Sequence, residues 1–212
     1  MGRVYPIARI VIGPWYRLWM RKMEGLENLP KPPFIIVSNH ASYYETILYH
    51  CTIAIKLNKK IHALVNGNYW KYLIPRIVLN TTEHIPIDVS KSSKAKKNNE
   101  KALKKAARYL KKQDIIMIFP EGHRSQDGIL LKGKTGAARL ALMSKMPIVP
   151  IGVIGSNKVM PRGSLIPRFA RCDVKIGKPL YFTGKPTKTN LENITRIIMK
   201  EIAKLINQKY IY

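Results

Sequence analysis

Phe34-Ile35-Ile36-Val37 is a short, largely β-branched apolar run behind two prolines, and it opens into Asn39-His40-Ala41-Ser42-Tyr43-Tyr44-Glu45. A run of that length and composition reads as a buried strand. The polar stretch then leaves the sheet edge and enters a helix. Ser42 and Glu45 have the S-x-x-E spacing of a capping box, which starts that helix at Ser42. His40 thereby falls between the carboxyl end of a strand and a helix N-terminus, where open α/β sheets place their chemistry. On one continuous helix, residues five apart would point in different directions. With a break at Ser42, Glu45 can reach one ring nitrogen of His40 and leave the other free to take a proton. The competing reading is that Glu45 only caps the helix and His40 is an ordinary loop histidine.

Ile115-Ile116-Met117-Ile118-Phe119 repeats the arrangement and ends in Pro120-Glu121-Gly122-His123-Arg124-Ser125. The two blocks, N-H-x-x-x-x-[D/E] and F-P-E-G-x-R-S, stand about eighty residues apart. Together they resemble the lysophospholipid acyltransferase family, typified by 1-acylglycerol-3-phosphate acyltransferases. A third family block, V-P-[V/I]-x-[I/V], is matched by Val149-Pro150-Ile151-Gly152-Val153, and the lead-in G-x-E-N-[L/I]-P by Gly25 to Pro30. This chain has Glu45 where the family usually has Asp, and His123 where it usually has Thr. Val89 follows Asp88 where the family usually carries an Arg thought to contact the acceptor's phosphate.

The resemblance implies acyl transfer from acyl-CoA or acyl carrier protein to the free hydroxyl of a lysophospholipid. The first choice of acceptor is 1-acyl-sn-glycerol 3-phosphate, giving phosphatidic acid; another lysophospholipid or glycerol phosphate is the alternative. His40 would be the general base, and Glu45 would hold its tautomer and stabilise the imidazolium. Asn39, Ser42, Glu121, Gly122, His123, Arg124, Ser125, Lys132 and Gly133 would form the substrate-binding set, with Arg124 pairing the acceptor's phosphate. Either Lys91 or Lys94 would replace the missing Arg, or the acceptor lacks a terminal phosphate monoester and Arg124 alone suffices. The scheme calls for no metal, no cofactor, and no serine or cysteine nucleophile.

The 212 residues fit one domain with a real core, and the alternation of strand-like and helical stretches predicts α/β architecture: one mixed central β-sheet flanked by helices. Lysine and arginine number 38 against 12 acids, a formal net charge of +26. So large an excess implies a polyanionic partner: nucleic acid, an anionic membrane surface, or acidic substrates. A nucleic-acid-binding protein would explain the charge but not the two strand-end blocks, so no specific nucleic acid is expected. Cys51 and Cys172 give no disulfide framework and fit a reducing compartment.

Residues 1–24 mix apolar, aromatic and basic side chains and predict an N-terminal amphipathic helix, with residues 25–212 as the acyltransferase domain. Val4, Ile7, Val11, Trp15 and Leu18 recur at helical spacing, and Arg9, Arg17 and Arg21 fall away from them. The reading is an interfacial anchor holding the protein peripherally or monotopically on the cytoplasmic face of a membrane, with arginines on anionic lipid. The alternative is a helix packed on the domain's own core. No run of eighteen uncharged apolar residues predicts a membrane-spanning helix.

Further along, the sequence predicts a strand over 61–65 and a helix over 69–79 that is either core or a cover for the acyl chain. A basic amphipathic helix follows within 91–112, burying Ala102, Leu103, Ala106, Tyr109 and Leu110. Its like charges at i, i+4 repel unless an anion relieves them. Lys132-Gly133-Lys134-Thr135-Gly136 before a helical run can hold an anion or form a tight turn. Strands are expected over 148–154 and 174–181. Thr189 and Glu192 have capping-box spacing and open a C-terminal helix.

Overall fold

The computed structural model describes residues 4–6, 8–90, 92–164 and 166–212. Ile7 and Lys91, and the Val11 side chain, lie outside them. Seven strands form one sheet: β1 (Met20–Glu24), β2 (Ile35–Ser38), β3 (Ile61–Asn66), β4 (Ile85–Ile87), β5 (Ile115–Ile118), β6 (Ile148–Ile154) and β7 (Cys172–Ile176). Their order is β1-β7-β6-β2-β5-β3-β4. All neighbours are parallel except β6 and β7, so the sheet is mixed as expected. β2, β5 and most of β6 are buried, which accounts for their unbroken apolar runs.

Helices cover both faces. One core joins β2, β5 and β6 to α5 (Ser93–Lys111), α6 (Gly136–Ser144) and α8 (Lys188–Leu205). α5 buries Ala95, Ala102, Leu103, Ala106 and Leu110, and its alanines bring its axis close to the sheet. Tyr109 is only partly buried. Ser92 caps α5 by accepting from the Ala95 N–H at 3.1 Å. α8 is capped by Thr187, which accepts from the Asn190 N–H at 3.3 Å, rather than by the expected Thr189 and Glu192. Thr189 already lies inside the first turn.

The opposite core holds α2 (Tyr44–Tyr49), which continues through a wider π turn, His50–Ala54, into α3 (Ile55–Leu57). The N-terminal segment packs here. A π turn at Ala8–Ile12 leads into α1 (Gly13–Arg17), and then the chain becomes β1 on the sheet edge beside β7. The helical part of residues 1–24 therefore ends before Met20. Arg9 and Arg17 donate to the Ile55 and Cys51 carbonyls, at 3.0 and 2.9 Å. Arg21 pairs with Asp173. Each of these arginines has a partner within the protein, while the Arg21 side chain stays largely exposed. Tyr16 stacks on Tyr44, while Ile10, Trp15 and Leu18 remain exposed.

α4 (Leu73–Thr81) buries no residue, so it is not core: Leu73, Ile74, Ile77 and Val78 all face outward. Among the described residues no helix is long and apolar enough to cross a membrane.

Candidate active site

His40 lies two residues beyond β2, at the carboxyl edge of the parallel strands. Its Nδ1 is 2.7 Å from Glu45 Oε2. Glu45 is fully buried, and its other oxygen accepts the Ala41 N–H at 2.9 Å, the Ser42 N–H at 3.0 Å and the Ser156 hydroxyl at 2.5 Å. Four contacts at ordinary hydrogen-bond distance fix this carboxylate. An ionised carboxylate only accepts, so His40 presents Nδ1–H to it, and in the neutral ring the proton-free nitrogen is then Nε2. Among the described residues nothing bonds Nε2, and the side chain keeps 14% of its exposure. Phe119 stacks flat on the imidazole, with centroids 3.9 Å apart and planes 15° from parallel. The ring is therefore clamped in orientation with one nitrogen open.

The predicted capping box is half present. Glu45 reaches back to the Ser42 N–H as that motif requires. The Ser42 hydroxyl instead donates to the Met160 carbonyl at 2.7 Å and accepts from the Tyr44 N–H. The helix proper begins at Tyr44, two residues later than expected, which leaves room for the His40 loop. Ser42 is buried and ties that loop to the residues after α7 (Ser156–Val159).

The second block braces the first. Glu121 Oε1 accepts the His40 N–H at 2.6 Å, and Oε2 accepts the Leu131 N–H at 2.8 Å. The Ser125 N–H donates to the His40 carbonyl at 2.8 Å. Both backbone groups of His40 are thus held from across the β2–β5 ladder. Glu121 is 1% exposed, and each of its oxygens accepts a backbone N–H, one of them that of His40. Burial pushes its pKa up to about 7, against the two N–H groups that favour the anion, with a smaller push from Glu45. The Asn39 amide donates to the Val153 carbonyl at 2.9 Å and accepts the Val153 N–H at 2.8 Å, fastening the end of β2 to β6. Ser125 is also buried, and its hydroxyl donates to Asp127.

Arg124 is different. Its guanidinium lies 3.7 Å above the Tyr43 ring, and Nη2 is 3.1 Å from the Tyr43 hydroxyl. Nη1 is buried and has no partner among the described residues. A buried guanidinium nitrogen with no acceptor is an unsatisfied donor. Tyr43 also bonds Tyr69, and burial followed by that bond pushes its phenol pKa up to about 12. Gly122 has φ +77, and a Cβ there would come within 2.5 Å of Lys134 Nζ. The glycine accommodates both the left-handed backbone and the lysine above it.

The remaining predicted residues separate. His123 is exposed and Lys132 points to solvent. Gly133 serves packing: a Cβ there would meet Met199 at 2.7 Å, and its N–H donates to the Tyr210 hydroxyl at 3.1 Å. The lysine that reaches the Glu121 turn is Lys134, whose N–H bonds the Pro120 carbonyl at 2.8 Å. Ser156 and Phe119 carried no predicted role. Phe119 is the last residue of a predicted strand, which could have suggested it; no local motif marks Ser156.

A family model described as Acyltransferase matches residues 20–154, which include every residue of the His40 and Glu121 blocks. The chloroplastic 1-acyl-sn-glycerol-3-phosphate acyltransferase of Arabidopsis thaliana is 30% identical over 82% of this chain and 46% of its own length. The chain spans about half the length of that relative and of a similar one from Brassica napus. The 1-acyl-sn-glycerol-3-phosphate acyltransferase of Bacillus subtilis is 26% identical, with 88% of each chain covered. The crystal structure of the 1-acyl-sn-glycerophosphate acyltransferase of Thermotoga maritima superposes with a TM-score of 0.67. That likeness covers 94% of this chain and 77% of the other at 21% identity, and it concerns the fold.

Proposed function

Because the chain belongs to the acyltransferase family, we propose that it transfers an acyl group from a thioester to the free hydroxyl of 1-acyl-sn-glycerol 3-phosphate. The donor is acyl-CoA or acyl carrier protein. The observation that carries the reading is the His40–Glu45 pair, with Nδ1 engaged and Nε2 bare at the open sheet edge. Nε2 takes the proton of the acceptor hydroxyl as its oxygen bonds to the thioester carbonyl carbon. Glu45 stabilises the imidazolium so formed. The tetrahedral adduct collapses by breaking the carbon–sulfur bond, and the imidazolium returns its proton to the departing sulfur. Glu121, Ser125 and Asn39 contribute by fixing the loop, since small misplacements of a base cost large factors in rate.

The guanidinium of Arg124, on the same turn as Glu121, suits the acceptor's phosphate, which lies only a few bonds from the reacting hydroxyl. The exposed apolar side chains of α4, with Lys71 just before it and Arg76 within it, support a peripheral seat on an anionic leaflet where such acceptors reside. The test is an acyl-transfer assay over a lysolipid panel with both donors, read by mass spectrometry. Phosphatidic acid formation is expected. No product from any lysolipid, or transfer only to a lysolipid with a blocked phosphate, contradicts the reading.

A further inference from the structure

Residues 128–133 form no helix or strand, so their backbone groups must find partners elsewhere. The partners come from the far end of α8. There Asn207 takes φ +55, its N–H donates to the Lys204 carbonyl at 3.2 Å, and the Gln208 N–H donates to the Ala203 carbonyl at 2.9 Å. This pair of bonds around a left-handed residue is the Schellman ending, and asparagine is one of the few side chains that tolerates it. The chain is thereby turned back, and Gln208 leaves the helix with its backbone already fixed. Its side-chain oxygen accepts the Leu130 N–H at 2.8 Å, and its amide nitrogen donates to the Gly128 carbonyl at 2.8 Å. Two residues on, the Tyr210 hydroxyl accepts the Gly133 N–H at 3.1 Å. Both side chains are half-buried. The irregular segment is thus clamped at both of its ends.

Leu131 lies between the two clamps, and its N–H is the second partner of Glu121, at 2.8 Å. The other oxygen of Glu121 accepts the His40 N–H at 2.6 Å. A line of contacts therefore runs from the end of α8, through residues 130 and 131 and Glu121, to the backbone of His40. We propose that Gln208 and Tyr210 are positioning residues for His40: by clamping residues 128–133 they keep the Leu131 N–H on Glu121, and so keep Glu121 on the His40 N–H. Both side chains bond backbone groups of the clamped segment, so they act through it and not on the proton path. The consequence for the rate rests on the acyl-transfer reading; the consequence for Glu121 does not. Tyr210 also packs against the core of α5, α6 and α8. A clamp that only fastened the chain to this core would lower stability and leave Glu121 untouched.

The experiment follows the ionisation of Glu121 by carbon-13 NMR of its carboxyl group, in the full chain without substrate, for the wild type, Gln208→Met and Tyr210→Phe. Methionine keeps the length of glutamine without its amide, and phenylalanine keeps the ring without the hydroxyl. Burial pushes the Glu121 pKa up to about 7, and the Leu131 N–H opposes that push by favouring the anion. Loosening this N–H destabilises the anion. The titration is therefore expected to move upward, by about one pH unit in Gln208→Met and by less in Tyr210→Phe. Ile176→Val, a truncation in the core on the other face of the sheet, is expected to lower the melting temperature and leave the titration in place. In steady-state assays kcat of Gln208→Met falls about fivefold while the KM values of both substrates hold. Gln208→Met/Glu121→Gln falls little below Glu121→Gln alone, because both changes act on one line of contacts. A titration unmoved in both variants, an equal movement in Ile176→Val, or fully additive losses in the double variant overturns the proposal. A moved titration without acyl transfer to any lysolipid would leave the clamp standing and sink the transferase reading. Acyl transfer with an unmoved titration would do the reverse.

Discussion

Glu45 and Glu121 are the same residue type, each a few positions past a central strand, each buried, and each within reach of His40. They do different work. Glu45 meets the imidazole itself and carries three further donors. Glu121 meets only the backbone N–H groups of His40 and Leu131. The charge of the first is tied to the ring proposed to move a proton. The charge of the second is burdened by burial, which pushes its pKa up to about 7. Proximity to the proposed base therefore does not make a carboxylate its partner; which atom of the histidine it holds does.

The contrast breaks first at the pair proposed to perform the chemistry. His40→Ala should lower kcat by about a hundredfold to ten-thousandfold, the range for losing a general base, with a melting temperature close to the wild type's. Near-full activity in the folded variant would put the base elsewhere. Glu121→Gln should cost less than about tenfold in kcat, since it disturbs a brace and not the proton path. Its signature is in stability against pH. The raised pKa gives a contribution that is fully present below about pH 4.5, the ordinary value, and is lost as pH rises through about 7, worth up to roughly 3 kcal/mol. Urea unfolding at pH 4.5 and 8 should show that slope in the wild type and a flatter one in Glu121→Gln. An unchanged slope would mean that Glu121 is ionised throughout. The smallest change is Ser156→Ala, which removes one of the donors to Glu45 and keeps its shape. About 1 kcal/mol and about a fivefold loss in kcat are expected. A loss as large as that of His40→Ala would make Ser156 a participant in the chemistry.

Much of this was legible in the chain because strand-end placement is written locally. Phe34–Val37 and Ile115–Phe119 are apolar for buried central strands, and the polar residues behind them must emerge at one sheet edge. What could not be read were contacts closed over distance. Ser156 reaches Glu45 across 111 positions and Asn39 reaches Val153 across 114, with no local pattern to mark either. Ser42 and Thr189 misled because capping spacing recurs by chance, and a competing acceptor such as the Met160 carbonyl diverts the hydroxyl. Met20–Glu24 fell within the segment expected to be helical, beyond the last residue of its apolar stripe, and it pairs as a strand with the edge of β7. Among the lysines near the Glu121 turn, Lys132 and Lys134 are equivalent on paper; only the turn after Pro120 brings Lys134 over Gly122.

The central claim is that Glu45 sets the tautomer of His40. Nitrogen-15 NMR of the imidazole, read alongside kcat for the wild type, Glu45→Gln and Glu121→Gln, tests it most directly. Gln at position 45 keeps an oxygen for Ala41, Ser42 and Ser156 but turns an NH₂ toward Nδ1, which forces the ring proton onto Nε2 and removes the base. The account predicts Nδ1–H with bare Nε2 in the wild type and in Glu121→Gln. In Glu45→Gln it predicts the opposite tautomer and a kcat lower by at least about a hundredfold. An unchanged tautomer in Glu45→Gln, or an exchanged one with activity intact, would contradict it.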